Sequence, residues 1–166
     1  MTSTTTDKRE HLLAVLKDFD TGMLFTRTDE GNMRGRPMAL AEVQPNGNVY
    51  LCSSRASGKQ KELEADQHAA LSVQGKSKFA SISGRAKITQ DRALIAKLWK
   101  EDWKVWFPEG KDDPNLSIIE FNAEEGEYWD NSGTHGVRFV VKAAKAYLSG
   151  ERYEDKDEDH NAKVRL

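Results

Sequence analysis

Residues 33–54, "MRGRPMALAEVQPNGNVYLCSS", decide the fold class. Two strand-like runs flank "PNGN", and Asn46-Gly47 is among the stronger hairpin signals because both residues tolerate positive φ. A turn this short makes its two strands antiparallel neighbours. Upstream, "GMLFTRT" (22–28) reads as a further strand and "DEGN" (29–32) as a turn. Before it, Leu12, Leu13, Val15, Leu16 and Phe19 share one helical face from Asp7 to Phe19, with Gly22 as the stop. Downstream, "HAALSVQG" (68–75) and "KSKFASISGRAKIT" (76–89) are strands separated by a turn at Gly75-Lys76. In the second, Ala80, Ile82, Gly84, Ala86 and Ile88 alternate with Ser81, Ser83, Arg85 and Lys87.

A second helix is expected from about Asp91 to Trp103, with Leu94, Ile95, Leu98 and Trp99 as its apolar stripe. "NLSIIEFNAEEGEYWD" (115–130) reads as two strands around a turn at Glu125-Gly126, and a last helix is expected over Val137 to Leu148. About seven antiparallel strands joined by hairpins favour a mainly β (α+β) architecture. The expected form is a closed or nearly closed antiparallel barrel with flanking helices, not a doubly wound sheet. One domain is expected over residues 1–150. Residues 151–166 are charged and poor in apolar side chains, and are read as a mobile tail or solvated surface segment.

The 166 residues suffice for one respectable core, and the formal charge of −2 gives no global attraction to nucleic acid or to an anionic membrane. Any anion site must therefore be local. One cysteine, Cys52, excludes an intrachain disulfide and fits a reducing cytoplasm. Long apolar runs and a signal-peptide pattern are missing, which points to a cytoplasmic protein.

A local anion site suggests itself in "CSSRASGKQKEL" (52–63), where Arg55, Lys59 and Lys61 sit at a strand-to-helix junction. Cations at a helix start are unfavourable unless something negative is present. Ser57 and Gln60 have the spacing of a capping box, which would start the helix near Gly58. Free amides, the hydroxyls of Ser53, Ser54 and Ser57, and the charges of Arg55 and Lys59 would together suit a phosphate. Equally, these residues describe a capped surface helix with solvated lysines. Arg34 and Arg36 lie in the neighbouring strand, so Arg36 either converges on the same anion or belongs to an exposed strand face.

The ordered set "RGRPM", "SGKQKEL", "SISGRA" and "EYWD" resembles the pyridoxamine 5′-phosphate oxidase-like split barrels, in particular their general stress protein 26 branch, over roughly residues 8–148. The resemblance implies a six- to seven-stranded split β-barrel, a homodimer, and flavin mononucleotide (FMN) in a groove between subunits, with FAD as the alternative flavin. It implies that Arg36, Pro37 and Met38 line the flavin, with Cys52 and Ser53 near its ring or ribityl chain. Ser57 and Lys59 would hold the phosphate. A segment from Phe79 to Ser83, including Ser81, would approach across the dimer, and Trp129 would lie against the ring or the dimer seam.

The chain departs from the true oxidases in lacking their carboxy-terminal tryptophan–arginine pair and in carrying Ala41 where they carry a phosphate-binding lysine. Vitamin B6 oxidation is therefore not expected. The implied function is an FMN-dependent oxidoreductase of unassigned substrate in stress physiology. The alternatives are a non-enzymatic flavin-sequestering or sensing protein and a barrel for another phosphorylated ligand, such as a B6 vitamer or a nucleotide. No residue declares itself a catalytic acid or base. His11, His68, His135 and His160 show no metal-ligand spacing, so no metal is expected. Trp99, Trp103, Trp106 and Phe107 are either an aromatic wall over a ligand or a helix face packed on the barrel.

Overall fold

Gly47 adopts φ 91°, and the Gln44 and Asn48 backbones close around Asn46-Gly47 as a tight turn. The hairpin read from the sequence is thus formed. The computed structural model describes residues 5–132, 141, 144–145, 147–149 and 161–166. In chain order the elements are α1 (Thr5–Lys17), β1 (Thr21–Arg27), β2 (Met33–Val43), β3 (Val49–Ser54), α2 (Lys59–Ala65), β4 (His68–Gln74) and β5 (Lys78–Thr89). There follow α3 (Arg92–Leu98), 3₁₀ turns at Glu101–Val105 and Gly110–Asp112, β6 (Leu116–Asp130) and β7 (Asn161–Arg165).

The strands run in the order β3-β2-β1-β4-β5-β6, and the first half of β6 pairs back onto β3. This closes a six-stranded antiparallel barrel. β7 is an extra strand on the second half of β6. The interior is filled by alternate strand residues such as Leu24, Leu51, Leu71, Ile82, Ile119 and Phe121, with α1 adding Leu12, Val15 and Leu16. Alternation on β5 follows the sequence reading, with Ala80, Ile82, Gly84 and Ala86 buried. A separate apolar cluster lies beneath α3 and the 3₁₀ turns, where Ile95, Leu98, Trp103 and Phe107 cover Cys52, Leu116 and Ile118.

Three expectations are corrected. The segment 115–130 is not two strands about a turn but one 15-residue strand. Gly126 is there for close packing: a Cβ would stand 2.7 Å from Leu12 Cδ2 and 2.8 Å from Ile82 Cγ2. The strand bends at a bulge instead, where the register slips between Ser83 and Gly84, and a Cβ on Gly84 would lie 2.0 Å from the Asn122 carbonyl oxygen.

The helix expected to Trp103 ends at Leu98, and Trp99 is extended with ψ 132°. The break lets Trp103 turn into the second apolar cluster, with Trp99 edge-on to it at 5.9 Å. Of the expected tail over 151–166, residues 151–160 lie outside the described residues, and 161–165 form a strand instead of a solvated segment. Ala162 and Val164 are buried on β7 while Lys163 and Arg165 face out, a period-2 pattern too short to stand out among so many charges. Of the helix expected over 137–148, the described positions Val141, Ala144, Lys145, Tyr147 and Leu148 are helical, and the remaining positions lie outside the described residues.

Candidate functional site

A cleft of about 390 Å³ opens where β2, the end of β3, the start of α2 and the first 3₁₀ turn meet. Its volume falls within the range of small-molecule sites. Five of the residues that the family resemblance assigns to the flavin line it: Pro37, Met38, Cys52, Ser53 and Lys59. Thr21, Ala39 and Ser54 add to the strand residues of the lining, and Trp106 and Phe107 line it from the end of the first 3₁₀ turn.

The Ser53 hydroxyl is buried and has no hydrogen-bond partner among the described residues. A buried unpaired hydroxyl is costly, so its presence at a cleft wall marks a position suited to a polar ligand atom. Lys59 is half-buried beside it and forms no ion pair among the described residues. Burial and, next, the Arg36 guanidinium hold its pKa below the ordinary lysine value. An anion would relieve both effects. Cys52 behaves differently: burial pushes its thiol up to about 12, so it is a neutral, small apolar group and not a thiolate.

Arg36 lies next to this site but outside its lining. On β2 it stands opposite Leu24, and its Nη2 reaches Glu62 Oε1 of α2 at 2.6 Å while Nη1 donates to Thr26 Oγ1 at 2.8 Å. Thr26 donates to the other Glu62 oxygen at 2.6 Å, and Arg34 approaches Oε1 at 3.3 Å. Glu62 is buried, and the hydrogen bond from Arg36 leads in holding its carboxyl below the ordinary range, against the opposing effect of burial. The expected convergence of Arg36 on the anion site is therefore indirect: its guanidinium is committed to an internal carboxylate.

The capping box is a further correction. The Ser57 hydroxyl donates back to the Ser54 carbonyl at 2.7 Å, closing the turn before the helix, and Gly58 occupies the cap with no side-chain cap bond. Gln60 instead reaches Glu64 at 2.9 Å. Ser57 accordingly does not line the cleft, and seven-residue α2 supplies little helix-end field.

Phe79, Ser81 and Trp129 are brought together, but not at this cleft. Phe79 and Trp129 are directly paired on β5 and β6, and Ser81 pairs Glu127. Ser81 lines a second groove of about 460 Å³ with Ser83, Glu125, Glu127, Lys163 and Arg165. The outer sheet face connects the two sites: Ser81 is opposite Ser72, Ser72 opposite Met23, and Met23 opposite Pro37 at the cleft edge. The sequence reading assigned no role to Glu62, although it lies within "SGKQKEL". The aromatic cluster divides, with Trp103 and Phe107 in the core and Trp106 at the cleft.

Fold and site define an antiparallel split barrel with a ligand-sized cleft lined by a cation and a hydroxyl that have no partner among the described residues. The chain belongs to the family described as "Pyridoxamine 5'-phosphate oxidase like", whose sequence pattern matches residues 7–154. It is general stress protein 26-like: it is 29% identical to General stress protein 26 of Bacillus subtilis over 124 residues, 72% of this chain and 86% of that protein. It is 30% identical to Protein bli-3 of Neurospora crassa over 118 residues, 64% of this chain. That match spans 56% of the Neurospora protein, so the similarity leaves much of that relative uncovered. Among solved structures, the general stress FMN/FAD binding protein of Xanthomonas citri is similar with a TM-score of 0.66 and 26% identity, covering 77% of this chain and 92% of that one. Among the described residues, no helix is long and apolar enough to cross a membrane.

Proposed function

We propose that the chain is a cytoplasmic, homodimeric flavoprotein that binds FMN in the Lys59 cleft and acts as a flavin-dependent oxidoreductase. The observation that carries this reading is the polar end of the cleft. Ser53 and Lys59 both line it, and among the described residues the Ser53 hydroxyl has no hydrogen-bond partner and Lys59 no ion pair, whereas Arg36 is satisfied by Glu62. In this reading Lys59 neutralises the phosphate and Arg36, held by Glu62, adds positive field from behind. Pro37, Met38 and Cys52 provide the apolar walls for the rest of the cofactor. The similarity to an FMN/FAD-binding protein supports a flavin over other phosphorylated ligands.

A second copy of the chain completes the site. Phe79, Ser81 and Trp129 lie on β5 and β6, outside the lining of the cleft of their own chain. They sit on an outer face that continues through Ser72 and Met23 to Pro37. Met23 and Met33 are 38% and 57% exposed on or beside that face, apolar surface suited to pairing. A two-fold contact there would bring one subunit's Ser81 and Trp129 toward its partner's cleft.

When bound, flavin supplies the electron-transfer chemistry, and the protein's part is binding, orientation and exclusion of water. The cleft lining favours a second reading, flavin binding without turnover, because among the described residues its titratable members are Lys59 and Cys52, and the Cys52 thiol is neutral. Purified protein should be yellow, and release by denaturation followed by mass measurement distinguishes FMN from FAD. Bleaching by NAD(P)H without oxygen supports the reductase reading, and persistent colour supports sequestration. Colourless protein that takes up no added flavin refutes both.

A further inference from the structure

We propose that Trp106 is the stacking wall of the cleft, lying against the planar ring of the flavin whose phosphate Lys59 neutralises; the inference rests on the flavin reading above. Trp106 is 64% exposed, an unusual state for the largest apolar side chain, yet it lines the cleft together with Lys59. Its mounting is fixed from both sides. Trp103 and Phe107 are buried at 2% and 5% exposure, and the backbone amides of Trp106 and Phe107 both donate to the Trp103 carbonyl at 2.9 Å. Trp99 packs edge-on against Trp103 and braces the same turn.

The buried aromatic base fixes the backbone that carries the indole, so only its two side-chain torsions remain to be ordered on binding. Its ring forms no hydrogen bond among the described residues. Pro37 and Met38 line the same cleft from β2, so a flat ring bound there would have apolar strand residues and an aromatic surface within its walls. Adjacent Val105 is 79% exposed but outside the lining, which makes it an internal control for a merely exposed residue on the same turn.

The test is titration of flavin-stripped full-length protein with FMN and with riboflavin, reading affinity and flavin emission. Indole in contact with the ring quenches that emission by electron transfer to the excited flavin. Trp106→Ala should weaken both ligands by the same factor, roughly tenfold, and restore part of the emission. Trp106→Phe should recover most of the affinity but not the quenching, and Val105→Ala should behave as wild type. Unchanged affinity and quenching in Trp106→Ala overturns the stacking role while leaving the flavin reading intact. Wild-type protein that binds neither flavin overturns that reading and the proposal together.

Discussion

Lys59 and Glu62 leave the same turn of α2 and meet opposite environments. Glu62 enters a closed polar cluster in which Arg36, Arg34 and Thr26 occupy both carboxylate oxygens. Lys59 enters a cleft where it has no ion-pair partner among the described residues and stands beside a hydroxyl that has none either. One side chain completes an interaction that fastens the helix to the barrel. The other leaves an interaction for something from outside. Charge alone does not mark a binding site; charge that the fold has left unanswered does.

The largest expected effect tests the closed side. Glu62→Ala leaves Arg36, only 20% exposed in its side chain, without its counter-charge. Removing one partner of such a pair should cost about 3 kcal/mol of stability, at the lower end for buried pairs because Arg36 and Arg34 keep some solvent. The midpoint of urea unfolding measures it. A loss below about 1 kcal/mol would mean that α2 is held mainly by Leu63 in the core.

The mirror experiment is Lys59→Glu. It should leave unfolding nearly unchanged, because no internal partner is lost, while FMN affinity falls roughly 10- to 100-fold, the worth of one charge-assisted contact. Riboflavin, which lacks the phosphate, should be affected far less. Equal loss for the two ligands would place Lys59 against the ring instead.

Acid and base should separate the two side chains again. Glu62 titrates below its ordinary value of 4.5 in the folded state, chiefly through its hydrogen bond from Arg36. Its stabilisation is present above that ordinary value and is lost as pH falls through the folded one. Glu62→Gln should therefore flatten the acid limb of a stability profile. Lys59 titrates below its ordinary 10.5, first through burial and then through Arg36. The phosphate-dependent part of FMN affinity should accordingly decline on the basic side earlier than an exposed lysine would allow. Comparing FMN with riboflavin across pH isolates that part.

The contrast also explains what the sequence disclosed. Hairpins were legible because Asn46-Gly47 and the β5 alternation act locally, and the cleft residues of β2 and β3 follow once those strands are neighbours. Gly126 was misread because a glycine at a turn and a glycine under a packed leucine look alike in one dimension; only the arrival of Leu12 distinguishes them. Arg36 was legible as a cation, but its commitment to Glu62 depends on how α2 packs over β1, within reach of the Arg36 side chain from β2. Ser57 had the spacing of a cap, and the Ser54 carbonyl claimed its hydroxyl first.

The smallest expected effect probes the open side most directly. Ser53 is 4% exposed, and its backbone carbonyl already accepts from Ser117 at 3.1 Å, while its own hydroxyl has no partner among the described residues. Removing a buried hydroxyl that bonds to nothing should leave unfolding unchanged or raise stability by up to about 1 kcal/mol. If a ligand normally answers that hydroxyl, Ser53→Ala should also weaken flavin binding several-fold, about 1 kcal/mol for one neutral hydrogen bond. A stabilised variant with unaltered affinity would make Ser53 an unpaired group of the fold with no share in the site, and Lys59 alone would then mark the open side. A variant that loses both stability and affinity would place Ser53 with Glu62, among the groups that hold the barrel together.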